Sequence, residues 1–328
     1  MSAATPTINR RAFLALGGGS ALALAMPRLA LGAPAVRTMD GRAFATEWSI
    51  SVPADVDIAP LRAPIEQMLA GVDMQMSPWR TDSDVSRFNR APAATMPMPA
   101  ELVHVTSAAL DLAAASGGEF DPTVGPLVAR WGFGPIKGDD TPDWHEIGLH
   151  GDAISKARDG LTLDLCGIAK GYALDRMADI VKGAGHGDFL IDLGGELVAC
   201  GTHPSGRSWQ VAVEDPRPSV EGAVEVLDLG GMAIATSGSR ANSYRLGHRR
   251  YSHIIDPSTL EPADSNLASV SVIASNAMTA DGWATALFAA GAAGPELARR
   301  NAVDALFVLT DGQGLERITT GSFSDYLA

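Results

Sequence analysis

Polar and apolar residues alternate from Phe44 to Val52, the period-two pattern of a half-buried strand. From Leu61 to Met76 the apolar spacing turns helical, with Leu61, Ile65, Met68, Leu69, Val72 and Met76 in the row. Methionines in such a row read as core fillers rather than metal ligands. A second helix is expected over Leu102–Ala115, stopped by Gly117-Gly118. Gly125–Asp143, rich in glycine and proline, predicts an irregular loop. A third helix spans Gly171–Lys182 and closes at Gly183. Short β-like runs follow at Phe189–Leu193, Trp209–Val213, Val224–Leu229, Met232–Ala235 and Ser269–Ala274. Met278–Ala290 and Glu296–Arg300 read as helices, and Val303–Leu309 as a closing strand. Strands and helices mix without regular βαβ alternation, which predicts an α+β fold with mixed or antiparallel sheets.

The start of the chain breaks this pattern. Asn9-Arg10-Arg11-Ala12-Phe13-Leu14 sets paired arginines before an uncharged run that lasts to Pro27, and Ala30-Leu31-Gly32 offers a small-residue cleavage site. That is the layout of a twin-arginine export signal over residues 1–32, with a single catalytic domain expected over 33–328. The run is short and glycine-rich for a span, which needs about 20 apolar residues. Export to a bacterial periplasm, with no stable membrane insertion after cleavage, is the expectation.

Composition narrows the classes further. The 328 residues are 46% hydrophobic and 19% charged, enough to bury a core and too apolar for disorder. A formal net charge of −13 excludes a basic surface for general nucleic-acid binding. Two cysteines exclude a disulfide framework or a Cys-rich zinc site. Cys166 and Cys200 are expected as buried free thiols, although an oxidising compartment permits a bond between them. There is no Rossmann fingerprint, P-loop or nucleophile elbow. His145 and His150 flank a near-zincin motif, but residues five apart do not share a helix face.

Four polar clusters sit in glycine-marked turns. Asp82 to Asn89 alone reads as a turn and a new helix capped by Asp82 or Ser83. In Phe120-Asp121-Pro122-Thr123, proline holds Asp121 extended, which suits either a rigid polar turn or a plain helix-terminating loop. Asp164 to Asp175 predicts a strand ending at Asp164, a tight glycine turn and a helix start near Ala169. Backbone N–H groups there attract phosphate, and Lys170, one of four lysines in the chain, adds positive charge. The last cluster joins Ala235-Thr236-Ser237-Gly238, Ser252-His253-Ile254-Ile255-Asp256-Pro257 and Ala280-Asp281-Gly282-Trp283-Ala284-Thr285. Asp281 and Thr285, four apart on one helix face, can aim two oxygens at one hard cation. The plainer alternative is a carboxylate in a first helical turn and a threonine bonded back to its own helix. His253 by itself reads as a structural histidine.

Taken in order, D-S-x-x-S-x-x-N, F-D-P-T-V-G-P-L-V, D-L-x-G-I-A-K-G-Y-A-x-D, L-I-D-L-G-G-E, A-T-S-G, H-I-I-D-P and A-D-x-x-A-T-A resemble the ApbE-type FAD:protein FMN transferases from about Phe44 to Leu309. The resemblance implies a T-fold-like α+β architecture that binds FAD and Mg²⁺. It implies a metal site of the Gly167 carbonyl, Asp281 and Thr285. Flavin contacts would fall at Phe44, Trp79, Phe120, Asp121, Pro122, Asp164, Lys170 and Ile255, with His253 as base and Asp281 as the second catalytic group. The implied reaction moves FMN from FAD to a Ser or Thr hydroxyl of a periplasmic or membrane redox subunit, releasing AMP. Departures include Phe44-Ala45-Thr46 where Met-Gly-Thr is common, Ala284 where some members carry Asp, and Thr259-Leu260 where Thr-Gly is common. An FAD pyrophosphatase giving FMN and AMP, and a non-catalytic periplasmic flavin carrier, are the competing readings.

Overall fold

Alternating side chains build the central sheet of the computed structural model, which describes residues 36–328 save 140, 218–219, 241–242, 247–248, 264–265 and 311–313. Its strands are β1 (Val36–Ala43), β2 (Thr46–Pro53), β3 (Phe189–Leu193), β4 (Glu196–Cys200), β5 (Ala233–Gly238), β6 (Leu267–Ala274), β7 (Asp304–Thr310) and β8 (Leu315–Thr320). Each lies beside its predecessor in the chain, and every pairing is antiparallel. Neighbouring residues of one strand therefore enter different cores. Ile191 and Leu193 join one apolar cluster and Leu190 another; Val270 and Val272 face the side opposite Ile273, and Phe307 opposes Leu306 and Val308. Each such buried side chain stabilises the fold by about 1.5–3 kcal/mol.

One face is covered by helices and the other by the hairpin of Gln210–Glu214 and Ala223–Asp228, which packs Val211, Val213 and Leu227 against the sheet. The helices are α1 (Arg62–Met76), α2 (Asp84–Arg90), α3 (Ala100–Ser116), α4 (Gly125–Arg130), α5 (Ala169–Gly183), α6 (Ala277–Ala289) and α7 (Gly294–Arg300). Local chemistry sets their ends. Ser83 caps α2 by accepting the Ser86 N–H at 3.2 Å, and Asn276 caps α6 through the Thr279 N–H at 2.8 Å. Gly117 ends α3 in the left-handed conformation, φ 69°. The described residues fall in one compact unit, Pro34–Ala328. None of their helices is long and apolar enough to cross a membrane. The export segment expected over residues 1–32 lies outside the described residues.

The structure corrects several expectations. Phe44 is not in a strand; with Ala45 it forms the tight turn between β1 and β2. No strand ends at Asp164, because residues 161–165 have no ladder partner. The expected loop after Gly125 opens with α4, and β7 is followed by β8 rather than closing the chain. Cys166 and Cys200 are free thiols, but Cys166 is exposed and Cys200 half-buried.

Ala45 and Leu260, which stand where the resemblance implies glycine, take positive φ, 58° and 59°. A side chain in that region costs about 1–2 kcal/mol, partly offset by the greater unfolded-state entropy of glycine. Ala45→Gly and Leu260→Gly are each expected to raise stability by about 0.5–1 kcal/mol, read as a higher urea midpoint at unchanged slope. An unchanged or lower midpoint would show that the turns carry no strain.

Candidate active site

Two turns and a strand end lie at one end of the sheet: Phe44-Ala45 between β1 and β2, Gly194-Gly195 between β3 and β4, and the Thr236–Gly238 end of β5. The first two interlock. Gly194 donates its N–H to the Glu47 carbonyl at 3.0 Å, and a Cβ on Gly194 would lie 2.7 Å from Thr46 Cγ2. Phe44 itself is half-buried against the helical core.

The start of α5 and the middle of α6 press against this end. Their approach requires Gly171, whose added Cβ would run into the Ala277 carbonyl and stand 2.8 Å from Asp281 Cβ. Two bonds then lock the helices together. The Gly171 N–H donates to Asp281 Oδ2 at 2.8 Å, and the Asp175 carboxylate accepts the Ala277 and Met278 N–H groups at 2.7 and 2.9 Å.

One turn beyond Asp281, the Thr285 hydroxyl donates outward to the Gly167 carbonyl at 3.3 Å, not back to its own helix. Ser237 Oγ of β5 lies 3.5 Å from the same hydroxyl. The structure brings Thr285 to Gly167 and Ser237, with Asp281 one turn earlier on the same helix and bonded to Gly171. Asp281 is only 6% exposed, and its Oδ1 takes no hydrogen bond from the described residues. A carboxylate, a carbonyl and hydroxyls are hard oxygen donors, the set Mg²⁺ prefers over soft metals. The described residues hold no cluster of three His, Cys, Asp or Glu side chains fit for a metal, which a site of this composition does not need.

The segment leading to Gly167 is held by partners remote in sequence. Asn89 donates to the Leu163 carbonyl at 2.8 Å and accepts the Leu163 N–H at 2.7 Å. The buried Lys156 ammonium donates to the Asn89 and Leu161 carbonyls, both at 3.0 Å. The Asp164 N–H bonds the Pro122 carbonyl at 2.7 Å, and Asp164 Oδ1 accepts the Cys166 N–H at 2.9 Å. Phe120 closes over Gly167, where an added Cβ would meet its ring at 3.2 Å. Asp121 folds back into its own turn, accepting the Thr123 N–H at 2.7 Å and hydroxyl at 2.6 Å. Burial pushes the Asp121 and Asp164 carboxyls above their ordinary range; for Asp164 the Cys166 N–H and the nearby His253 oppose that rise.

His253 is half-buried, edge-on to Phe133 at 6.3 Å between ring centroids. Phe133 stacks on Tyr244, Tyr244 on Tyr251 and Tyr251 on Trp131, each at 5.3 Å. Ile255 is buried, opposite Pro262 in a two-residue ladder. Trp79 stands in the turn after α1 with 67% of its surface exposed. Two separate hollows, about 400 Å³ between α4 and residues 134–138 and about 270 Å³ beside Trp283 and Asn301, border neither Asp281 nor His253.

Lys170 does not point unpaired at an incoming anion, as its place at a helix start suggested. Its ammonium lies 2.6 Å from Glu196 Oε2. Burial opposes that positive charge, but Glu196 and then Asp281 outweigh it and hold the ammonium above its usual pKa. Burial raises Glu196 to about 8, against the pull of Lys170. It raises Asp281 too, opposed by Lys170 and the Gly171 N–H. Sequence reasoning passed over Glu196, Ser237, Asp175 and Asn89 as site residues, although all four lie inside the ordered motifs. Their signal was a polar side chain at a strand end or on a helix beside glycine-marked turns.

The ApbE family model matches residues 44–307, which reach from the β1–β2 turn through every element of this site. The chain belongs to the ApbE family. It is 35% identical to an FAD:protein FMN transferase of Klebsiella pneumoniae, over 88% of this chain and 89% of that one. A Salmonella typhimurium protein of the same name is 32% identical over 96% and 95% of the two chains. The flavin transferase ApbE of Vibrio cholerae superposes with a TM-score of 0.80 at 32% identity, covering 89% of this chain and 99% of that one. The apo flavinyl transferase ApbE of Pseudomonas stutzeri gives 0.80 at 34% identity, over 89% and 96%. These structures share the mixed helices and antiparallel sheet described above.

Proposed function

We propose that this ApbE-family chain is a Mg²⁺-dependent FAD:protein FMN transferase acting on a Ser or Thr hydroxyl of a redox protein. The observation that carries the reading is the Gly167–Asp281–Thr285 oxygen set beside Lys170. The names of the relatives support it. When bound, Mg²⁺ would neutralise charge on the FAD pyrophosphate oxygens. Gly167, Asp281 and Thr285 would hold it, and Lys170 would supply a second positive charge to the phosphates. Phe44, Trp79, Phe120, Asp121, Pro122, Asp164 and Ile255 would contact the flavin. His253 accepts the proton of the acceptor hydroxyl as its oxygen bonds the FMN phosphorus, and the bond from that phosphorus to AMP breaks. The products are a flavin phosphoester on the acceptor and free AMP.

The paired arginines and uncharged run before Pro27 support a cleaved twin-arginine signal, a periplasmic enzyme and a periplasmic or membrane-bound acceptor. The test uses the mature chain, FAD, Mg²⁺ and a Ser/Thr-bearing domain of a periplasmic redox subunit. A fluorescent acceptor band on a denaturing gel, matched by AMP and abolished by EDTA, is the expected result. AMP without a labelled acceptor would replace transfer by hydrolysis. Bound FAD with neither product would leave a carrier.

A further inference from the structure

We infer that Glu196 is a positioning residue that draws the Lys170 ammonium away from Asp281 and so keeps Asp281 open to a divalent cation. The inference rests on the proposed cation site. Lys170 and Gly171 are consecutive, and the Gly171 N–H is bonded to Asp281 Oδ2 at 2.8 Å, so the lysine leaves the backbone beside the cation-binding carboxylate. A lysine on a flexible stem pairs with whichever carboxylate it reaches. A Lys170–Asp281 pair would put a positive charge where the cation must sit.

Glu196 prevents this from a different element. It opens β4 directly after the Gly194-Gly195 turn, and its side chain is 6% exposed. Glu196 Oε2 forms an ion pair with Lys170 Nζ at 2.6 Å and has no hydrogen-bond partner among the described residues. Next after Glu196, the carboxylate that acts most strongly on Lys170 is Asp281; Asp192 acts less and also accepts the Gly195 N–H at 2.8 Å. Without the Glu196 carboxyl group as partner, Lys170, which leaves the backbone next to the Gly171–Asp281 bond, is free to turn toward Asp281. The ammonium is held in the cleft for the phosphates yet parked off the metal ligand.

Mn²⁺ titrations of the FAD-free mature protein, followed by electron paramagnetic resonance, test this without any turnover. Glu196→Gln is expected to weaken Mn²⁺ binding about tenfold or more, with Glu196→Asp retaining part of the affinity. Lys170→Met/Glu196→Gln is expected to restore it, because no ammonium remains to compete. Wild-type affinity in Glu196→Gln, or a double variant as weak as that single one, would overturn the positioning role. Asp281→Asn separates the two readings. If it leaves Mn²⁺ binding unchanged, the cation site itself is wrong; if it abolishes binding while Glu196→Gln does not, only the Glu196 inference falls. Circular dichroism melts confirm that each variant is folded.

Discussion

Asp281→Asn is expected to lower the rate of flavin transfer about 10³-fold while leaving the protein folded. The asparagine keeps an oxygen for the Gly171 N–H that Asp281 Oδ2 now accepts at 2.8 Å, so the contact between α5 and α6 survives. What disappears is the buried negative charge that recommends this site to a cation. A 10³-fold loss corresponds to about 4 kcal/mol of transition-state stabilisation, within the range for removing charge stabilisation at a reacting phosphate. Initial rates of AMP release and of acceptor labelling, at saturating FAD and Mg²⁺, measure it. Both should fall together. A rate within tenfold of the parent would mean that Asp281 is structural and that the cation sits elsewhere.

Gly171→Ala should produce the largest loss of stability, about 3 kcal/mol. The methyl group would overlap the Ala277 carbonyl and lie 2.8 Å from Asp281 Cβ. Both obstacles are fixed parts of α6, so the helices must separate. Separation also breaks the Gly171–Asp281 bond and strains the Asp175 clamp on the first N–H groups of α6. Gly282→Ala is the control. Its methyl would crowd Leu112 Cδ2, the end of a side chain that can turn, and touch Ile168 at an ordinary 3.5 Å, while alanine favours the helix by about 1 kcal/mol. Urea unfolding of the two variants should separate them clearly. A Gly171→Ala protein within about 0.5 kcal/mol of the parent would show that the helix contact yields without cost.

The elements legible in the chain were those with a strong apolar period. α1, with Ile65, Leu69, Val72 and Met76 buried, and β3, with Phe189, Leu190, Ile191 and Leu193 buried, needed no outside information. β1 and β8 carried no such signal. β1 buries only Met39 and β8 only Thr320, because each is an edge strand with most of its side chains facing water. Residues 161–165 misled in the opposite direction. Leu161, Leu163 and Leu165 are buried at alternating positions like a strand, yet the Leu161 carbonyl is bonded by Lys156, Leu163 by Asn89 and the Asp164 N–H by Pro122 rather than by a ladder.

The family, the order of its motifs and the i, i+4 spacing that sets Asp281 and Thr285 on one face of α6 are legible in the chain alone. These are local or ordered facts, carried by residue type and interval. Only the tertiary structure decided which of those groups meet. Asp281 is 110 positions from the Gly171 N–H it accepts, and Thr285 is 118 from the Gly167 carbonyl. Glu196 reaches Lys170 from a separate strand, so the partner that sets the lysine's direction could not be read from either motif. Hydrophobic period reports how an element meets its own core; a charge pair between elements depends on how those elements pack, which no interval within one of them encodes.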